Sequence, residues 1–410
     1  MRRSVLQPFL WHGFFLALTM AMIEPNTVLP NFIGGLTSSP VAFGVMYSIL
    51  LGAPSIFNLF FSRYLERFPH KKKFLLAGIY LRAVSFLGMA VVTYFFAASR
   101  PLLTLVAFYA LVLLFALSGG FASIAYADLV GKVLPSDKRP GMYASRQFVG
   151  GLAALLGGLL VARVFAPGVL PYPFDYALLM AVGFLGLMVA SFGFWSLKEP
   201  ASDPAPAPTG PKVGMFRDAL QILKKDRIFR NFILVENITS FSLMILPFYM
   251  LYVSRTFPDA QVWFGAFVLA QILGSLLSNF FWVFLSKRFG STGVLRVCIL
   301  TGAAIPLLAI LLQSAGAAWY ILVFLLVGFI TSGRNMGFEP FLLDIAPENR
   351  RTAYIGISGT MNLLDVLLPV LGGIFIAQLG FTAAFVTVSA FMVVSFFLLR
   401  NRACPDRPAA

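Results

Sequence analysis

The chain is poor in charge and in the side chains that catalysis and metal binding most often use. Only 11% of its 410 residues are Asp, Glu, Lys or Arg, whereas soluble domains carry roughly 25%. Two cysteines are present, Cys298 inside an apolar run and Cys404 near the C-terminus, so no disulfide framework is available. Two histidines, His12 and His70, exclude a His-rich metal site, and no close nucleophile–base pair or metal-spaced His/Asp set emerges. A Walker lysine pattern is also missing: Gly157-Gly158 lie in an apolar run, where paired glycines permit close helix approach rather than phosphate binding. These absences argue against an enzyme and against a pump driven by ATP hydrolysis. They imply no cofactor and no metal. A cleavable leader is not expected, because the block after Arg2-Arg3 runs past Glu24 to Phe32 without a small-x-small site.

What the chain has in excess is apolar length. Hydrophobic residues make up 59% of the sequence and phenylalanine alone accounts for 44 positions. They fall in blocks of about 20 or more residues, the length that crosses a bilayer as a helix. The formal net charge of +15 lies between the blocks and shows no aromatic–basic interleaving, which excludes a nucleic-acid partner. The partner implied by composition is the lipid bilayer.

The blocks predict an all-α integral membrane protein with twelve transmembrane helices in two six-helix bundles. The first six are read at Phe9–Phe32, Val41–Ser62, Phe74–Ala97, Leu102–Asp128, Met142–Phe165 and Tyr172–Leu197. The second six are read at Phe229–Val253, Val262–Leu285, Val294–Gln313, Trp319–Leu342, Thr352–Leu379 and Thr382–Leu399. Residues 1–197 and 229–410 thus form the two bundles. The 198–228 linker holds a proline-rich stretch that cannot cross lipid, then a short amphipathic helix over Met215–Asp226. Basic residues gather at Arg63–Lys73, Lys132–Arg139, Lys198–Arg230, Lys287–Arg296, Arg350–Arg351 and both ends, while the alternate loops hold only Arg100, Arg163 and Arg255. Positive residues stay on the cytoplasmic side, so both termini and the linker are placed there. One chain supplies both bundles, and a monomer is expected.

Two internal repeats support two related halves. Asn58–Phe68 and Asn279–Phe289 each end an apolar helix in a basic turn. Asp128 precedes Pro135-Ser136-Asp137-Lys138-Arg139, and Asp344 likewise precedes Pro347-Glu348-Asn349-Arg350-Arg351. An acid at a cytoplasmic helix end can hold loop cations and close that face.

With these features the chain resembles the major facilitator superfamily over essentially its whole length. That family's loop between the second and third helices reads Gly-x-Leu-Ala-Asp-Arg-x-Gly-Arg-Lys. Here Ser62, Tyr64, Glu66 and Pro69 occupy the Gly, Leu, Asp and second Gly positions, while Arg67, His70 and Lys71 match the basic ones. In the second copy Arg288 and Gly290 are shared in character and Lys287 replaces the acid. The resemblance implies a secondary transporter in the cell membrane, working by alternating access to a central cavity. It also assigns Glu66, Arg67 and Lys71 to closing the inner face. The glycine–proline signature of antiporters has no proline in the fifth helix, although Pro369-Val-Leu-Gly372-Gly373 echoes it in the eleventh.

An ionisable group inside hydrocarbon is costly and marks a candidate site. Glu24-Pro25-Asn26 reads as a local break in the first helix, because proline removes a donor and frees a carbonyl. Glu236-Asn237 lies two turns into the seventh helix, and Asp365 shares a face with Asn362 in the eleventh. Arg334 lies ten residues, about 15 Å, above Asp344 and is read as neutralising a buried carboxylate such as Asp365, or as binding an anionic substrate group. Glu24, Asn26, Glu236, Asn237, Arg334, Asn362 and Asp365 are therefore the substrate or coupling candidates. Glu66, Arg67, Lys71, Asp128, Arg146, Arg288, Glu339 and Asp344 are the cytoplasmic gate candidates. Arg82 and Arg146 are read as snorkelling or gate residues rather than substrate contacts, and His12 as structural.

The function expected is proton-coupled efflux of a small, amphiphilic or zwitterionic organic solute, with sodium as the alternative coupling ion. Movement of a lipid or lysolipid, and a non-transporting sensor or scaffold, are the competing readings.

Overall fold

The computed structural model describes residues 6–135, 138–200, 221–347, 354, 357–358, 361 and 364–401. All regular structure among the described residues is helical. The helices are α1 (Gln7–Met22), α2 (Val28–Leu36), α3 (Pro40–Glu66), α4 (Lys72–Phe96), α5 (Pro101–Val133), α6 (Arg139–Val164) and α7 (Phe174–Trp195). They continue as α8 (Arg227–Thr239), α9 (Phe241–Ile245), α10 (Phe248–Thr256), α11 (Ala260–Leu311), α12 (Tyr320–Ile345) and α13 (Leu364–Asn401). Hydrocarbon offers the backbone no hydrogen-bond partner, so a chain this apolar must satisfy its own amides inside each segment. Eight helical stretches among the described residues are long and apolar enough to cross a membrane. This is an all-α, multi-span membrane fold.

Several expected boundaries shift for local reasons. The first apolar block is two helices rather than one, interrupted at residues 23–27 around Pro25. The seventh is three short helices, α8 to α10, with Pro247 at the second interruption. Conversely α11 and α13 each run through two expected blocks. Gly290 (φ 65°) and Gly380 (φ 83°) each mark a non-helical kink between two helices, at a positive φ that a Cβ would strain. The helix expected to end at Asp128 continues to Val133, carrying Lys132 to the same charged end. Of the amphipathic helix expected over Met215–Asp226, residues 221–225 are helical, and the remainder up to 220 lies outside the described residues. Asp226 begins the next helix instead: its side chain accepts the Phe229 N–H at 2.9 Å.

Two compact units divide the chain. The first comprises Met1–Ser38, Val45–Ala207 and Gln261–Leu269; the second comprises Ser39–Gly44, Pro208–Ala260 and Ala270–Ala410. In the first, α1 packs on α6 and α7, and α4 packs on α5 and α7. Phe9, Phe86, Phe108 and Phe194 are fully buried there. In the second, α8 and α9 pack on α13, around a core that includes Trp282 and Tyr320. Small residues set the closest helix approach: a Cβ on Gly274 would overlap the Leu325 carbonyl, and one on Gly328 would overlap that of Gln271. Large apolar side chains also cover the outside, with Phe280 74%, Leu102 73% and Leu311 73% exposed. Those exposures fit a surface solvated by lipid tails rather than by water.

Candidate functional site

Two of the helix interruptions have an acid at or just before them. At the first, the Glu24 carboxylate accepts the Asn26 N–H at 2.7 Å, the Thr27 hydroxyl at 2.8 Å and the Asn26 amide at 3.3 Å. The Glu24 carbonyl accepts the Leu29 N–H at 3.2 Å. The carboxylate thus sits at the start of α2, where unpaired amides and the helix dipole favour negative charge. Asn26 is buried and accepts the Tyr47 hydroxyl at 2.9 Å, which ties the break to α3.

At the second, Glu236 is 8% exposed and its carboxylate accepts the Ser358 hydroxyl at 2.8 Å. Its carbonyl accepts three donors: the Ser240 N–H, the Ser240 hydroxyl and the Thr239 hydroxyl. Arg334, on α12, reaches the same break. It donates to the Thr239 carbonyl at 3.1 Å and to the Ser242 and Ser240 hydroxyls at 3.4 Å, and it lies over the Phe338 ring at 4.9 Å. Its role in the structure is therefore to cap an interrupted helix. The Asp365 side chain that the sequence pairs with it lies outside the described residues, as do Asn362 and the side chains of Glu66 and Glu339. Asn237 donates to the Ile233 carbonyl at 2.8 Å, and its own side-chain oxygen is buried without a partner.

The charged end of the first unit is a compact ion cluster. Lys71 pairs with Asp128 at 2.7 Å, and Lys132 bridges Asp128 at 2.8 Å and Glu199 at 2.9 Å. Glu199 also accepts the N–H groups of Lys71 and Lys72, each at 2.8 Å, one per carboxylate oxygen. It therefore caps α4 from a segment 127 residues away. The Lys72 ammonium returns the contact to the Trp195 and Leu197 carbonyls at 2.7 Å, where α7 ends. The Glu199 side chain is 3% exposed. Burial pushes its carboxyl up, but the Lys71 N–H, the Lys132 ammonium and the Lys72 N–H outweigh this and hold it below the usual glutamate value.

Of the gate candidates, Lys71 and Asp128 meet directly. Arg67 is exposed, Arg288 lies over the Phe289 ring at 5.4 Å, and Asp344 accepts the Ser291 hydroxyl at 2.6 Å. Arg146 lies instead beside Tyr126 and Gly13, inside the first unit. Sequence reasoning missed Glu199. The available signal was a lone acid before Pro200 at a helix end flanked by lysine. No group of three His, Cys, Asp or Glu side chains arranged for a metal occurs among the described residues.

Apolar multi-span units with helices interrupted beside acids describe an integral membrane protein. The family model of the Major Facilitator Superfamily matches residues 10–364 and 238–410, and the chain belongs to that family. Its fold is similar to that of the nucleoside transporter NupG, with a TM-score of 0.65 at 14% identity over 98% of this chain and 99% of that one. A point mutant of the same transporter gives a TM-score of 0.71 at 12% identity, covering 98% and 100%. The human organic anion transporter MFSD10 (TETRAN) gives 0.59 at 16% identity, covering 97% and 99%. Comparison with curated proteins by sequence gives no match.

Proposed function

We propose that this chain is a secondary transporter that moves a small amphiphilic organic solute by alternating access, driven by the proton gradient in the efflux direction. The observation that carries proton coupling is Glu236: a carboxylate 8% exposed within an apolar bundle, hydrogen-bonded to the Ser358 hydroxyl beside an interrupted helix. Such a group binds and releases a proton with little other chemistry available to it. Glu24 and Asp365 are the further acids for this role. The similar solved structures are named for nucleosides and for organic anions, both small organic solutes. The efflux direction rests on the sequence resemblance alone.

The same reading takes the chain as twelve spans in two bundles, 1–197 and 229–410, monomeric in the cell membrane. Four observations favour it: the non-helical glycine kinks within α11 and α13, the paired helices α1 and α2, the segments α8 to α10, and α3. Both termini and the 198–228 linker are then cytoplasmic, by the distribution of Lys and Arg. The Lys71–Asp128–Lys132–Glu199 cluster would be part of the cytoplasmic closure.

The test is purified protein in sealed proteoliposomes with an imposed pH gradient and an internal pH dye. A panel of aromatic acids, amphiphilic cations, zwitterions, sugars and lysolipids is added to the parent and to Glu236→Gln, Glu24→Gln and Asp365→Asn. Solute-triggered proton flux that disappears in Glu236→Gln is the expected result. Solute accumulation under a sodium gradient without proton movement would transfer the coupling to sodium. Flux triggered only by lysolipid would make the cargo a lipid, and silence across the panel would favour a scaffold.

A further inference from the structure

In the first unit His12 on α1 is buried, and Arg146 on α6 and Arg82 on α4, both half-buried, reach the same two helices, α1 and α5. His12 on α1 is 5% exposed; its ring lies 5.0 Å from Phe194 and stacks at 5.8 Å on Tyr126. Arg146 on α6 lies with its guanidinium 4.9 Å from the same Tyr126 ring. Gly13 leaves the room it occupies, since a Cβ there would fall 2.6 Å from Arg146 Cγ. Arg82 on α4 places its guanidinium 4.4 Å from the Phe115 ring and 3.5 Å from Met20 Sδ. It lies ten residues, about 15 Å, into its helix, and it turns toward α1 and α5 rather than out to headgroups.

Among the described residues none of these groups pairs with an acid; Lys71–Asp128, Lys132–Asp128 and Lys132–Glu199 are ion pairs at the charged end. His12 Nδ1, Arg82 Nε and Arg146 Nε are all buried without a hydrogen-bond partner. Placing a guanidinium in a low-dielectric interior is costly. A cation–π contact returns only part of that cost. Stability alone therefore does not account for the arrangement, because a pair of leucines would pack there at lower cost. An anion between them would remove the deficit.

We propose that Arg82, Arg146 and His12 form the binding site for the anionic group of the transported solute, and that this solute is an organic acid with an aromatic or otherwise flat apolar body. Each guanidinium offers a planar fork that matches a carboxylate through two parallel hydrogen bonds. His12 Nδ1 adds a third donor in its Nδ1–H tautomer. Phe9, Phe115, Tyr126 and Phe194 surround the charges with ring faces and edges, which suit a flat apolar body. This inference narrows the cargo of the transporter proposed above and rests on that reading for the word transported; binding itself does not.

The test is equilibrium binding of radiolabelled 1-naphthoate to the full chain in detergent, by scintillation proximity, without any ion gradient. Unlabelled 1-naphthoate, 1-naphthylmethylamine and sodium sulfate serve as competitors. Saturable binding displaced by 1-naphthoate and not by the amine is expected, weakened at least tenfold in Arg82→Gln and in Arg146→Gln. Arg82→Lys and Arg146→Lys keep the charge, lose the fork and should weaken binding severalfold; they decide the matter if the Gln variants do not elute as the parent does. Absence of saturable binding, equal displacement by the amine, or full binding in the lysine and glutamine variants would overturn the assignment. Displacement by sulfate at concentrations where 1-naphthoate competes would also overturn it, by showing a site for inorganic anions. Binding without proton flux in liposomes would sink the coupling and leave this site standing; flux without binding would do the reverse.

Discussion

Replacing Glu199 with Gln should loosen the charged end of the first unit, and the structure sets the size of the effect. The carboxylate accepts three hydrogen bonds: the Lys71 N–H, the Lys72 N–H and the Lys132 ammonium. Gln keeps one acceptor oxygen and turns the other position into an NH2 donor facing either an N–H or an ammonium. At least one bond is lost and one donor–donor contact created, while the charge that offsets Lys132 disappears. A hydrogen bond to a charged group contributes about 1.5–3 kcal/mol, so a loss of about 2 kcal/mol is expected for a side chain this covered. On the scale of soluble domains of 150–250 residues that is about 4–8 °C in Tm. The pH dependence carries its own sign. The folded carboxyl lies below its ordinary 4.5, so its stabilisation is complete above that value and fades as pH falls through the lower, folded-state value. Thermal unfolding in detergent from pH 7 down to pH 3 should show the parent and Glu199→Gln curves converging at the acid end. Equal Tm at pH 7, or a gap that widens on acidification, would refute the reasoning.

Other perturbations follow from the same contacts. Gly274→Ala and Gly328→Ala should each cost at least about 1–3 kcal/mol by overpacking, read as lowered Tm and a broadened elution profile; parent-like behaviour in both would mean the helices separate freely. Arg334→Met should abolish solute-triggered flux in proteoliposomes while Arg334→Lys keeps part of it, because lysine still reaches the Thr239 carbonyl; indifference of flux to both would remove Arg334 from the mechanism. Asp226→Ala removes the α8 cap and the acceptor of the Tyr354 hydroxyl at 2.6 Å. A cap is worth about 0.5–2 kcal/mol, so a Tm drop should appear that Asp226→Asn partly avoids.

The lipid-spanning character, the family and the main helix positions were legible because they depend on one-dimensional quantities. Blocks of about 20 apolar residues must become helices in hydrocarbon whatever surrounds them. Pro25 beside Glu24 marked a break, since a missing donor acts locally. Gly290 and Gly380, lying between apolar blocks, became the kinks that part the helices within α11 and α13. Charged partners were far less legible. Asp128 was read as a holder of loop cations and does hold Lys71, because the acid and the loop sit at the same helix end. Arg334 was matched to a carboxylate, yet its described bonds run to an interrupted helix 92–95 residues away. Arg82 and Arg146 were read as snorkelling or gate residues, and their guanidiniums lie over the Phe115 and Tyr126 rings.

The reason lies in the solvent. In water a helix shows which side is buried by being polar on the other. Here the lipid-facing and core-facing sides are both apolar, so the sequence carries depth along the helix and almost nothing about rotation around it. Composition and spacing determined that this chain spans a membrane, where most of its apolar helices lie, and to which family it belongs. Only the tertiary structure decided which way Arg146 points, because that azimuth is set by close packing at residues such as Gly13. The charges that such packing brings together define the site.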